Sequence, residues 1–194
     1  MKKYWRKFQS LSPPIRWFAL SIIALVILAV LSAPESKPVD YRSISYLSTA
    51  DSRLYFKNIR SYYYHIDRHS KAPMLIYSLK RRSPERDSLS LSFNIVQYPG
   101  AEEIYIYSEI GKSFEQYDSL RVIFEKYSDH EDLQGINSEG HFRIAAKTYT
   151  SLLEEKAVFL MNYQDTISPL FQDKASRLDA EITLEDYFKL TLKN

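Results

Sequence analysis

Residues 62–69 read YYYHIDRH, so three tyrosines run into His65, Asp67 and His69, and half of the chain's four histidines fall within five positions. Imidazoles beside a carboxylate are the donors of a zinc site, which takes three or four protein ligands at about 2 Å. The spacing works against one shared ion. On a strand all three side chains share a face, but a rise of about 3.3 Å per residue sets His65 and His69 roughly 13 Å apart. On a helix the histidines lie one turn apart while Asp67 points to the other side. Each geometry supplies at most two convergent ligands, and a third would have to come from His130 or His141. The expectation is a solvated strand end, with His65, Asp67 and His69 as a secondary metal candidate.

Three other groupings carry chemistry. The stretch KRRSPERD, 80–87, offers Lys80, Arg81, Arg82 and Arg86 to anionic lipid headgroups or an acidic partner, although Glu85 and Asp87 dilute the charge. Its plainer reading is a soluble hairpin loop. Asp129-His130-Glu131-Asp132 lacks the alternate-position oxygens and the glycine of a calcium loop, and reads as a solvated acidic turn. Tyr105 and Tyr107 alternate with Ile104 and Ile106, so one pair faces a core and the other faces out. With Tyr62, Tyr63 and Tyr64 they form candidate interface material, because tyrosine gives contact area at low rotamer cost. Otherwise these rings pack on the sheet or under a C-terminal helix.

Motifs of catalysis are missing. The chain has no Walker A loop, no G-x-S-x-G, no H-E-x-x-H, no S-x-x-K and no cysteine. Its four glycines, Gly100, Gly111, Gly135 and Gly140, are too separated to cradle a phosphate. Neither a catalytic residue nor a cofactor is expected.

The elements that position these residues read as α+β. In SLSLSFNIVQ, 88–97, Leu89, Leu91, Phe93 and Ile95 alternate with Ser and Asn, which predicts a strand buried on one face only. MLIYSLK (74–80) and EIYIYSEI (103–110) are its neighbours, the latter across a Pro99-Gly100 turn, and a strand at 54–64 completes a meander. A short first strand is expected near 44–47. Phe142, Ala145, Ala146, Tyr149, Leu152 and Leu153 fall at helical spacing, with Arg143, Lys147, Glu154 and Glu155 elsewhere around the axis. This amphipathic helix, about 139–155, is expected to cover the apolar face of one mostly antiparallel sheet. KAVFLMNY (156–163) predicts a returning strand, and Thr183 with Asp186 a short C-terminal helix. Residues 114–127 lean towards helix, because Ser113 and Gln116 suggest a capping box, although Leu120, Val122 and Phe124 alternate.

Before that domain lies WFALSIIALVILAVLSAP, 17–34, eighteen residues without a charge, which at about 1.5 Å per residue span close to a bilayer core. It is expected to be an uncleaved transmembrane helix, since the positions before Pro34 make a poor signal-peptidase site. Lys2, Lys3, Arg6, Lys7 and Arg16 precede it with no acidic residue, so the N-terminus is expected in the cytoplasm and the remainder in the periplasm of a bacterial envelope. The expected organisation is a basic leader (1–16), the membrane helix (17–34), a Pro/Ser-rich tether (35–53) and an extracytoplasmic α+β domain (54–194). Beyond the leader and helix the chain holds 21 basic and 24 acidic residues, leaving no basic footprint for nucleic acid.

This layout resembles that of single-pass bacterial inner-membrane proteins. The functional expectation is a membrane-anchored interaction module, an accessory or assembly subunit among other envelope proteins. The alternative is a periplasmic ligand-binding or sensor domain, and after it a hydrolase or metal-dependent enzyme.

Overall fold

The computed structural model describes residues 12–31, 37–69, 72–81, 91–111, 119–127, 129–162 and 167–191. They fall in two compact units, Met1–Ser36 and Lys37–Asn194. The first contains helix α1, Pro13–Leu31, which starts on two prolines that the first turn tolerates. Trp17, Phe18, Leu25 and Leu28 are exposed along it. Among the described residues, no helix is long and apolar enough to cross a membrane. The uncharged part of α1 runs from Trp17 to Leu31, about 22 Å of helix against a core of about 30 Å. The expected transmembrane helix is therefore not shown as such by the structure.

The second unit is mixed α+β, with two four-stranded antiparallel sheets and not the single sheet expected. The first sheet is a meander of β1 (Tyr64–Arg68), β2 (Leu75–Leu79), β3 (Leu91–Gln97) and β4 (Ile104–Ile110), in that order. Leu91, Phe93 and Ile95 of β3 share the buried face with Ile104 and Ile106, and the register sets Asn94 opposite Tyr107 on the other. The β3–β4 turn uses Gly100 at φ +86°, a left-handed backbone that glycine adopts without a Cβ clash. The second sheet has the order β6-β5-β7-β8, from β5 (Leu120–Phe124), β6 (Asp129–Asp132), β7 (Val158–Asn162) and β8 (Ile167–Pro169).

Helices complete the domain. A capping box of Thr49 and Ser52 starts α2, Ala50–Tyr55, which continues as a π-turn over Phe56–Arg60 and a 3-10 turn over Ser61–Tyr63. Helix α3, Ser138–Leu153, begins where the Asn137 side chain accepts from Gly140 N–H. Gly140 sits so close to Ile136 that a Cβ would meet it at 2.9 Å. Helix α4, Lys174–Thr191, begins where Asp173 Oδ1 accepts from the N–H groups of Ala175 and Ser176. Phe142 and Tyr149 of α3 meet Phe188 of α4 edge-on and tilted, at 5.9 and 5.3 Å, and Phe142 also meets Tyr187. These rings are the centre of the core.

Several expectations change. Residues 54–63 are helical and not a strand, because the Thr49–Ser52 box nucleates a helix upstream of the tyrosine run, and pairing begins only at Tyr64. In 114–127 the alternation wins over the helical lean: Leu120, Val122 and Phe124 are buried along β5, and the capping signal lies outside the described residues. The C-terminal helix starts at Lys174, so Thr183 and Asp186 lie in its interior and are buried. At 44–47 there is only an isolated bridge, Leu47 to Glu103. Helix α3 is buried nearly all round, since β4, α4 and the second sheet pack on its different sides. Residues from Lys37, read as tether, lie on the domain: Val39 is buried and its N–H donates to Thr150 Oγ1.

Candidate interaction site

Strand β1 holds His65 and Asp67 in the extended geometry, and His69 is the residue just after its end at Arg68. The strand's burial leaves only Tyr64 inside, while His65, Asp67 and His69 are exposed. Among the described residues no three His, Asp or Glu side chains converge enough to hold a metal ion. A strand rise of about 3.3 Å per residue would set positions 65 and 69 roughly 13 Å apart.

The tyrosine run divides at the start of that strand. Tyr64 turns into the core, where its hydroxyl donates to Asp186 Oδ2 at 2.8 Å and Arg60 Nε donates to Asp186 Oδ1 at 2.7 Å. Burial first, and the Asp186 charge next, push the Tyr64 phenol far above its ordinary range. Tyr62 and Tyr63 stay outside, Tyr62 at 76% exposure. Lys80 lies over the Tyr62 ring at 4.8 Å and donates to Tyr62 O, and Arg60 lies over the Tyr63 ring at 5.1 Å. The tertiary fold thus joins the tyrosine run to the start of the basic stretch. Arg81 reaches back to α4, its Nε 2.5 Å from Asp179 Oδ1. Arg82 and Arg86 lie outside the described residues.

Tyr105 and Tyr107 belong to a separate surface, because β4 and β1 are opposite edges of the first sheet. At about 4.8 Å per strand the two edges are roughly 14 Å apart. Tyr105 is locked: its ring lies 4.8 Å from Tyr46 and 6.4 Å from Tyr98, and its hydroxyl donates to Glu103 Oε2 at 2.5 Å. That hydrogen bond, more than burial, pushes its phenol up to about 12. Tyr107 is half exposed and packs on the His141 ring at 4.5 Å. His141 Nδ1 in turn accepts the Ser108 N–H at 3.1 Å, satisfying a donor on the outer edge of β4. Residues 46–48 satisfy two more groups at the start of that edge: Ile104 N–H donates to Tyr46 O and Ser48 N–H to Glu102 O. Both devices blunt the strand against edge-to-edge pairing. The result is a rigid aromatic face of Tyr98, Tyr105 and Tyr107, held from behind by Tyr46, Glu103 and His141.

Two buried ionic clusters were not legible in the sequence. Lys147, assigned there to the polar side of α3, is 1% exposed, with Nζ 2.5 Å from Asp129 Oδ2 and 2.8 Å from Glu131 Oε1. The rings of Tyr41, Phe124 and Tyr127 surround the ammonium at 4.7, 5.7 and 5.7 Å. Burial works to lower the Lys147 pKa, but the two carboxylates outweigh it and hold it above the usual value. Asp129 is held low, chiefly by the hydrogen bond from Lys147. The stretch expected as a solvated acidic turn is strand β6, and it clamps α3, because its register on β5 turns Glu131 inward, where Arg143 is also bonded to it. The second cluster is Arg60–Asp186–Tyr64. Asp186 lies more than a hundred positions from Arg60 and Tyr64, and Lys147 lies 18 and 16 positions from Asp129 and Glu131 on a different element, so neither cluster falls at a spacing that marks a local contact.

No protein-family model matches this chain, and comparison with curated proteins and with solved structures found no match to either.

Proposed function

We propose that the protein is a membrane-anchored extracytoplasmic interaction module, an accessory or assembly subunit of an envelope complex in a bacterial inner membrane. The observation that carries the reading is the locked aromatic face made by Tyr105 and Tyr107 of β4 with Tyr98 of the turn before it. Rings already immobilised by neighbours lose little entropy on binding, which favours a protein partner over a purely structural role. The anchor rests on the uncharged run 17–34, the five basic residues before it and the exposed apolar side chains of α1. Periplasmic placement of the domain follows from that charge bias.

The test is purification of the full-length, C-terminally tagged chain from its native membranes in mild detergent, beside a Tyr98→Ser/Tyr107→Ser variant. A defined set of envelope proteins that co-elutes with the wild type and is lost from the variant supports the reading. The same set retained by a folded variant refutes the surface, and a chain that elutes alone refutes the subunit role.

A further inference from the structure

The helical segment 50–63 buries one ring and exposes several large apolar side chains. Its inward positions recur every four residues: Ser52 donates to Leu190 O at 3.0 Å, Phe56 is buried against Tyr64 and Tyr77, and Arg60 pairs with Asp186. The outward positions carry Leu54, Tyr55, Ile59, Tyr62 and Tyr63, all more than half exposed, and Ile66 is exposed on β1, which follows directly. A solvent-facing helix normally shows the reverse arrangement. Exposed apolar side chains concentrated on one short segment mark a candidate binding surface.

Charge selects what covers it. Residues 49–81 hold seven Lys or Arg against Asp51 and Asp67, whereas the rest of 35–194 holds 14 basic against 22 acidic residues. Arg53, Arg60 and Arg81 pair with acids elsewhere in the domain, which leaves Lys57, Arg68, Lys71 and Lys80. Lys57 belongs to the same segment, and the Lys80 ammonium rests on Tyr62. Apolar residues, tyrosines and lysines on one face are what an anionic bilayer interface accepts: the rings sit at headgroup depth, the lysines meet phosphate, and the aliphatic side chains enter the acyl boundary. Five residues, 32–36, separate the end of α1 from the second unit in sequence, so a short segment tethers the domain to the membrane that holds the anchor.

We propose that the outer face of residues 54–63, with Ile66, Lys57 and Lys80, docks on the anionic phospholipid surface of the membrane that holds the anchor. The anchor is the part of the functional reading on which this rests. The lipid-facing segment at β1 and the aromatic face at β4 then occupy opposite edges of one sheet, so that docking at the first leaves the second free.

Amide exchange of the full-length chain in nanodiscs tests the proposal, comparing discs of phosphatidylcholine with discs in which about a third of the lipid is phosphatidylglycerol. The expected result is exchange about tenfold slower across 54–63 in the anionic discs. High salt and the Lys57→Glu/Lys80→Glu variant should abolish that protection, and so should Ile59→Ser/Tyr62→Ser, with unchanged exchange in β3 and α3 reporting an intact fold. Equal exchange in the two disc types overturns docking while the anchor stands, because the chain stays in the discs. Protection in native membranes but not in protein-free anionic discs also overturns it, making a protein the occupant. A chain that does not incorporate into discs refutes the anchor separately. Docking is then decided with preformed anionic vesicles: pelleting of the wild type but not the lysine variant supports it, and no pelleting overturns it.

Discussion

Replacing His141 with Gln should remove a pH dependence that the fold builds into the edge of β4. The imidazole accepts the Ser108 N–H through Nδ1 and packs on Tyr107, and only the neutral ring can accept. Burial holds its pKa down at about 4, against about 6.5 for an unperturbed histidine. The folded value is depressed, so between these limits the unfolded chain binds the proton and the folded chain does not. The stabilising contribution is therefore full above about pH 6.5 and is lost as pH falls towards 4. At about 1.36 kcal/mol per unit the whole shift corresponds to roughly 3 kcal/mol. Half-exposed Tyr107 leaves the ring partly open to water, and screening reduces this to about 1.5 kcal/mol. Urea unfolding of residues 37–194, followed by circular dichroism, measures it in wild type and in His141→Gln, whose amide can accept the same N–H without titrating. The wild-type advantage should fall by about 1.5 kcal/mol between about pH 7 and pH 4.5. A difference between the two proteins that stays constant over that range refutes the role given to His141.

The two buried clusters give further expectations. Lys147→Met should cost about 2–3 kcal/mol in urea unfolding, less than a fully buried pair because Asp129 is half exposed and can rehydrate. With the Lys147 pKa raised and the Asp129 pKa lowered, that cost should be constant from about pH 5 to pH 10 and shrink only outside this window. A cost below about 0.5 kcal/mol would show that the clamp on α3 is not energetically significant. Asp186→Asn should cost about 3 kcal/mol, since it leaves Arg60 without its counter-charge beside buried Tyr64. Equal stability of the variant and the wild type would show that Arg60 turns to solvent at no cost.

Much of the local architecture is legible in the sequence, because it depends on neighbours within a few residues. The alternation in 88–97 and 103–110 predicts strands, and β3 and β4 lie within those ranges, joined through Pro99-Gly100. The apolar spacing from Phe142 to Leu153 predicts the helix that α3 is. Strand and helix geometry alike give the His65–Asp67–His69 trio at most two convergent ligands from within its own segment. Residues 54–63 defeat the same reasoning: completing the meander suggests a strand, while the helix is nucleated upstream by Thr49 and Ser52 and tied down by Asp186 and Leu190 of α4.

What only the tertiary structure decides depends on contacts between distant residues. Periodicity cannot count sheets, because a strand reads the same whichever sheet receives it. Here β5 to β8 form a second sheet around α3, and the ammonium of Lys147 goes inside because Asp129 and Glu131 meet it there. Nor can periodicity say which tyrosines share a surface. Tyr62 and Tyr63 join Lys80 at one edge of the first sheet, Tyr105 and Tyr107 join Tyr98 and His141 at the other, and Tyr64 leaves both groups for Asp186. Residue type and spacing determine what each segment can become. Burial and pairing, which act across the whole chain, determine which of its side chains remain to meet a partner.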